Sequence, residues 1–209
     1  MHEPWTKTAP VPIVGAMTGM KQDNTTLTYA AFANAFTPAE LDRIETLGDR
    51  MVLEKAEILG SAEGTMHSSV RVTRTGWFEA VDENKWIYDR AQQIAQQLNI
   101  MAWGFDLRGF SERIQFSVYH GDEGGHYVWH VDQGPLAVRR KLSMTLQLTD
   151  PANYQGGELQ FHATNQIETA PKDRGMLIAF PSYVLHRVAP VTAGTRKSLV
   201  IWITGPRFI

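Results

Sequence analysis

From residue 112 onward the sequence alternates apolar and polar residues, and Gly, Pro, Asn and Asp break the alternation at short intervals. A period of two places successive side chains on opposite faces of an extended chain, so each run reads as a strand. The runs are Arg113–Tyr119, His126–Val131, Arg140–Leu148, Gly157–Phe161, Gln166–Ala170, Gly175–Phe180, Val184–Ala189 and Arg196–Thr204. Many short strands separated by turn residues close on one another as a sandwich or barrel, because an open sheet would leave an apolar face bare.

The N-terminal half differs. Thr37-Pro38-Ala39-Glu40 is a helix start, with Thr37 as cap, Pro38 in the first helical position and Glu40 closing a capping box. That helix is predicted to run to Asp49. A second is predicted over Glu83–Leu98, where Trp86, Ile87, Ala91, Ile94, Ala95 and Leu98 share one face. Leu27–Phe36, Met51–Leu59 and Val70–Phe78 read as strands, and residues 1–26, with three Pro and no periodicity, as an extended arm before a single domain over 27–209. The expected architecture is mainly β with flanking helices, a sandwich backed on one face by the N-terminal helices.

Composition narrows the chemistry. Hydrophobic residues make up 43% of the 209, enough for a packed core. With no Cys, disulfides, thiolate nucleophiles and Cys-type zinc sites are all excluded. A net charge of −2 gives no general attraction to nucleic acid or an anionic membrane. No apolar run approaches the ~20 residues of a bilayer span. The N-terminus lacks the basic and apolar regions of a secretory signal, so a cytoplasmic protein is expected.

Chemistry-bearing residues concentrate in the β half. In a strand, residues i and i+2 project to one face, so His130 and Asp132 can bind one metal without bending the chain. His186 lies in a second strand, 54 residues beyond Asp132, and Arg196 follows ten residues later. Two His and one carboxylate form the facial triad of non-haem Fe(II) oxygenases, leaving positions for a chelating cosubstrate and dioxygen. A cosubstrate with a distal carboxylate needs a planar, bidentate cation, and arginine is that residue.

These residues carry a resemblance. Tyr119, the stretch Gly124-Gly125-His126-Tyr127-Val128-Trp129-His130-Val131-Asp132, then Gly156-Gly157-Glu158-Leu159, His186, Arg196, Ser198 and Trp202 resemble the Fe(II)/2-oxoglutarate-dependent oxygenases of the prolyl 4-hydroxylase type. Arg71–Glu79 is similar to the family's R-x-x-[KR]-x-x-W-[IF]-E strand, and the likeness spans roughly residues 27–204. It implies a double-stranded β-helix (jelly-roll) core backed by two or three N-terminal helices. It also implies hydroxylation of a C–H bond, a prolyl residue of a peptide or protein first, with Fe(II), 2-oxoglutarate and O2. His130, Asp132 and His186 match the iron ligands, and Arg196 the partner of the distal carboxylate. Tyr119, Ser198, Thr145 and Gln147 fall at cosubstrate positions, although the close relatives carry Tyr where Gln147 stands. Arg71, Tyr127, Trp129 and Trp202 are expected at the substrate mouth, with Thr73 in place of an Asp of the closest relatives.

Other readings stay open at this level. Tyr119 could be a sheet-face aromatic, Trp202 a core residue and Arg71 the partner of a surface acid. His120, His126 and His162 read as structural, with strand parity directing His126 to the face of His130. Arg139-Arg140-Lys141 reads as a solvated strand start, and Lys197 as pointing away from Arg196. Ser61–Ser68, Asp122–Gly125 and Gln133–Val138 are candidate gates. The alternative functions are hydroxylation of a free amino acid or other small molecule, a hydrolase or isomerase on a cupin-like fold, and a non-enzymatic metal-binding jelly roll.

Overall fold

The computed structural model describes residues 17–18, 27–56, 69–134, 137, 139–163 and 165–208. In chain order the elements are β1 (Met17–Thr18), β2 (Ala30–Phe32), α1 (Pro38–Asp49), β3 (Glu54–Lys55), β4 (Arg71–Val72), β5 (Arg74–Phe78), α2 (Lys85–Ala102), β6 (Ile114–His120) and β7 (His126–His130). They continue with β8 (Arg140–Gln147), a 3-10 turn at Pro151–Asn153, β9 (Tyr154–Gly156), β10 (Leu159–Ala163), β11 (Gln166–Thr169), β12 (Leu177–Pro181), β13 (His186–Val188) and β14 (Val191–Thr204). Nine strands form one sheet, along β1-β2-β12-β8-β14-β6-β5-β3 with β9 also on β14; five form the other, β11-β10-β13-β7-β4. All pairings are antiparallel, and the two sheets are the walls of a jelly roll.

Helix α1 begins where the sequence directs. The Thr37 hydroxyl accepts from the Glu40 amide at 3.3 Å, and the Glu40 carboxylate accepts from the Thr37 amide at 2.7 Å. Helix α2 ends four residues later than predicted. The Asn99 side chain closes it, accepting from the Phe105 amide at 2.9 Å and donating to the Phe105 carbonyl at 2.8 Å.

The alternation of β6, β8 and β14 divides the large sheet into two unlike faces. Phe116, Val118, Met144, Leu146, Leu199 and Ile201 meet Leu41 and Ile44 of α1 and Ile87, Ala91, Ile94 and Leu98 of α2 in the main apolar core. Gly48 permits the close approach of α1: a Cβ there would lie 2.5 Å from the Phe116 ring, which is fully buried. The opposite face is polar and also buried. Across it run Ser117, Ser198 and Gln147 in one row and Gln115, Val200 and Thr145 in the next, in cross-strand register. The main apolar core thus lies outside the jelly roll, under the helices. Between the sheets, a smaller cluster of Leu159, Phe161, Ala170, Ile178 and Phe180 fills one part, and polar groups line the rest.

Three sequence expectations change. Val70–Phe78 is two strands, β4 on β7 of the small sheet and β5 on β6 of the large one. Thr73 is the switch between them, buried, its hydroxyl donating to the Val118 carbonyl at 2.9 Å. Strand β14 starts at Val191, because its first residues pair with β9, a strand that the turn-rich sequence around Gly156-Gly157 conceals. Of Met51–Leu59 only Glu54–Lys55 is a strand among the described residues. Most of the arm, residues 57–68 and part of 133–138 lie outside the described residues, with Met17–Thr18 paired to β2. Among the described residues no helix is long and apolar enough to cross a membrane.

Candidate metal centre and the adjoining polar pocket

His130 closes β7 and His186 opens β13, and the two are cross-strand partners on one face of the small sheet. Their ring centroids are 4.2 Å apart. Asp132, two residues past the end of β7, faces both: its Oδ1 is 3.8 Å from His130 Nε2 and its Oδ2 is 3.7 Å from His186 Nε2. These distances are too long for hydrogen bonds, so the atoms surround a point without bonding to one another. Each imidazole has its Nδ1 on a backbone carbonyl two residues earlier, His130 on Val128 at 2.7 Å and His186 on Val184 at 2.9 Å. A carbonyl only accepts, so Nδ1 carries the proton and Nε2 presents a lone pair to the shared point. Burial, with His186 beside it, pulls the His130 pKa down to about 3, so the ring is neutral. Burial alone would raise the Asp132 pKa. His186, His130, a hydrogen bond from Ser143 and the charge of Arg140 outweigh it and hold the carboxyl below its usual range. Asp132 Oδ2 is buried with no hydrogen-bond partner in the surrounding geometry. Two lone pairs and an ionised carboxylate with no donor between them fit a divalent cation, and the N,N,O set suits a first-row metal with open positions.

Tyr127 lies flat on His130, with ring centroids 3.5 Å apart and planes 17° from parallel. Strict alternation would put residues 127 and 130 on opposite faces. A bulge in β7, where His130 and Tyr127 stand against His186 and Val188, turns Tyr127 inward. His126, which strand parity directs to the ligand face, instead bonds the Gly124 carbonyl at 2.8 Å. The Arg71 guanidinium stands 4.7 Å from the Tyr127 ring centre. Trp129 is not brought to the triad: it faces the outside of the small sheet, packed by Arg187 at 4.7 Å and edge-on to His162.

Arg140 is the largest correction on this side. The run expected to be a solvated strand start has Arg140 and Lys141 both buried. Arg140 is held by both oxygens of Glu112, donates to the Asp132 carbonyl at 3.2 Å and lies 3.9 Å from the ring centre of Trp202. Trp202 thus joins Asp132 through Arg140. A basic residue eight after a ligand Asp carries no alternation signal, because the intervening loop hides its direction.

The second cluster sits on the polar face of the large sheet. Arg196 is 1% exposed and pairs with no carboxylate among the described residues. Its Nη2 donates to Gln147 Oε1 at 2.9 Å and its Nη1 to Ser198 Oγ at 3.3 Å, and its guanidinium carbon is 5.3 Å from the Tyr119 ring centre. Arg196 Nε, Gln147 Nε2 and the Tyr154 hydroxyl are buried without a hydrogen bond of normal geometry, with the Arg196 guanidinium close enough to the phenol to donate to its oxygen. The neighbouring acceptors are taken by Arg196 and donors remain, which suits a carboxylate. Thr145 lies one row further along the same face. Lys197 points to the other face, as parity requires, and binds Asp49 at 2.7 Å and Glu45 at 3.2 Å on α1. Tyr127 connects the clusters: stacked on His130, it also packs against the group of Tyr119, Tyr154, Val188 and Val191. The sequence offers little sign of Tyr154 beyond its position two residues before Gly156-Gly157.

Gly157 is fitted against this cluster. Its φ is +66°, and a Cβ there would come within 2.9 Å of both Arg196 Cδ and Val191 Cγ2. Gly157→Ala is expected to displace the Arg196 side chain and to destabilise the fold by ~1–3 kcal/mol, from overpacking and left-handed strain. Thermal unfolding together with titration of the cosubstrate checks both effects.

A jelly roll with a His/Asp/His gathering point on one wall and a buried, unpaired arginine on the other has the architecture of iron-dependent 2-oxoacid oxygenases. Residues 114–204 match the family model of the 2OG-Fe(II) oxygenase superfamily. The chain is 32% identical over 176 residues to a PKHD-type hydroxylase of Teredinibacter turnerae, covering 79% of this chain and 75% of that protein. In fold it is similar to a prolyl hydroxylase from Trichoplax adhaerens solved with a hypoxia-inducible-factor peptide fragment, at TM-score 0.72 and 18% identity over 87% of this chain and 84% of the other. A Pseudomonas putida prolyl-4-hydroxylase gives TM-score 0.66 at 23% identity, over 86% of this chain and 93% of the other. The chain belongs to the PKHD-type hydroxylases of the 2OG-Fe(II) oxygenase superfamily. It is therefore a 2-oxoglutarate-dependent dioxygenase, and its cofactors are Fe(II), 2-oxoglutarate and O2.

Proposed function

We propose that the chain hydroxylates a prolyl residue in a peptide or protein, with Fe(II) held by His130, Asp132 and His186. 2-Oxoglutarate is held by Arg196, Gln147 and Ser198, with Tyr119 and Thr145 lining its pocket. One observation carries this reading: buried acceptor atoms without a donor at the triad and buried donor atoms without an acceptor around Arg196 lie on either side of Tyr127, which packs against both groups. A diacid with a 2-oxo group satisfies both ends.

When bound, the iron and 2-oxoglutarate supply the oxidising power, so that one oxygen atom of O2 leaves in succinate and the other in the product hydroxyl, with release of CO2. The chain's own residues do the rest. The Nδ1 bonds to Val128 and Val184 fix each imidazole with its lone pair inward. Arg140, clamped by Glu112, holds the Asp132 loop and places the Trp202 ring beside it. Phe180 and Phe161 wall off His186, their ring centroids 4.5 and 6.2 Å from the imidazole, and keep water from that side. Tyr127, Arg71 and Trp202 form the substrate mouth, aromatic with a basic edge, which suits the flat apolar face of a proline ring.

Hydroxylation of a free amino acid needs an acceptor for its ammonium group. Glu123 is already taken by Arg74 and Asp122 is exposed, which favours the peptide. The test supplies Fe(II), 2-oxoglutarate and O2 with proline-containing peptides or free L-proline and follows succinate and a mass gain of one oxygen atom. Peptide product with no free hydroxyproline is expected. Turnover of L-proline alone would move the enzyme to the small-molecule branch.

A further inference from the structure

Tyr88 and Tyr154 are both buried, at 7% and 5% exposure, and their hydroxyls have opposite fates. The Tyr88 hydroxyl donates to the Phe78 carbonyl at 2.6 Å and accepts from the Ile114 amide at 3.1 Å. This is the usual state of a structural buried tyrosine. The Tyr154 hydroxyl makes no hydrogen bond of normal geometry, and its one polar neighbour, the Arg196 guanidinium, can only donate to it. Leaving it unmatched costs stability, so a packing role alone would be served better by phenylalanine.

Its location explains the difference. Tyr154 opens β9 and pairs with Gly194, two residues before Arg196 on β14. The Tyr154 ring and the Arg196 stem flank one point, the place a Gly157 Cβ would occupy, at 3.3 and 2.9 Å. Burial pushes the phenol pKa up, and the Arg196 charge and a hydrogen bond from the Arg196 guanidinium pull against it. A guanidinium only donates, so the phenolic proton still has no acceptor. Lys172 fixes the ring from another side, its Nζ 4.4 Å from the ring centre and bonded to the Gly156 carbonyl at 2.7 Å.

We propose that Tyr154 is a cosubstrate-binding residue whose phenolic O–H donates to the distal carboxylate of 2-oxoglutarate, beside Arg196 and Gln147 Nε2. The proposal rests on the reading that Arg196 receives that carboxylate. It makes the phenol a selector for a 2-oxoacid carrying a second acid group.

The test uses full-length protein loaded with Mn(II), so that binding is read without turnover. Calorimetry measures 2-oxoglutarate and 2-oxopentanoate, which has the same carbon chain without the distal carboxylate, on wild type and Tyr154→Phe. Wild type is expected to prefer 2-oxoglutarate strongly. Tyr154→Phe should weaken 2-oxoglutarate about tenfold to a hundredfold, the worth of a hydrogen bond to a charged group, and leave 2-oxopentanoate unchanged. Mn(II) affinity should hold, and the ligand-free melting temperature should stay level or rise, since an unmatched hydroxyl has been removed. Equal losses for both ligands, no loss for either, or a lowered melting temperature would overturn the proposal and leave the Arg196 reading standing. If wild type fails to distinguish the two acids, the Arg196 reading falls and the role of Tyr154 with it.

Discussion

Asp132→Ala protein is expected to bind divalent metal at least a hundredfold more weakly than wild type and to make no measurable succinate. Asp132 is the one anion in the triad, and its carboxyl is desolvated, ionised and without a donor on Oδ2. Breaking a buried charge pair by removing one partner costs ~3–5 kcal/mol, which is a factor of 10² to 10³ or more in affinity. The stability effect has the opposite sign. Without metal, the buried carboxylate has only partial compensation, so the metal-free variant should melt no lower than metal-free wild type. Mn(II) titration and thermal unfolding in chelator measure the two effects. Retention of tight metal binding by Asp132→Ala would remove this residue from the ligand set.

Arg196→Ala should raise the Michaelis constant for 2-oxoglutarate by 10² or more while leaving metal affinity nearly intact. The guanidinium is fully buried and makes hydrogen bonds only to neutral groups, Gln147 and Ser198, among the described residues. Its charge is therefore available to a ligand carboxylate, and a bidentate pair of that kind is charge-assisted. Losing one member costs ~3–5 kcal/mol. Lys197→Ala is the control. Its ammonium is occupied outside the pocket by Asp49 and Glu45, and a partly exposed pair of this kind contributes ~0–1 kcal/mol to stability. Steady-state kinetics with varied 2-oxoglutarate, beside metal titration, separates the variants. An essential Lys197 with a dispensable Arg196 would mean that the face assignment of β14 is inverted.

What the sequence made legible follows from where regular periodicity holds. His130, Asp132, His186 and Arg196 stand in or beside strands whose spacing of two or register with a neighbour fixes their faces, so the gathering of the three ligands and the buried face of Arg196 could be anticipated. Helix α1 was equally readable, because its cap is a local motif. The failures sit where regularity breaks. One extra residue in β7 exchanges His126 for Tyr127 at the ligand face. A single buried threonine divides one apparent strand between two sheets. Arg140 reads as solvated in the sequence because its partners, Glu112 and Trp202, are distant along the chain, and the charge run alone carries no sign of them. Tyr154 belongs to a strand hidden among glycines, and only pairing with β14 shows its direction.

The two ends of the proposed cavity belong to different walls. The histidines are carried by the five-stranded sheet, and Arg196, Gln147 and Ser198 by the nine-stranded sheet, whose larger apolar core lies on its far side under the helices. A small diacid joining the ion to Arg196 would add a removable tie between two layers that otherwise meet through side chains such as Phe161 on Phe180 and Tyr127 beside Tyr154. A ligand that binds only the folded chain at a hundred times its dissociation constant adds about 2.7 kcal/mol to stability. The abundance of a metabolite then shifts how often the folded chain opens, and with it how quickly a protease finds the opened chain. Depletion of 2-oxoglutarate would shorten the lifetime of the protein as well as idle it.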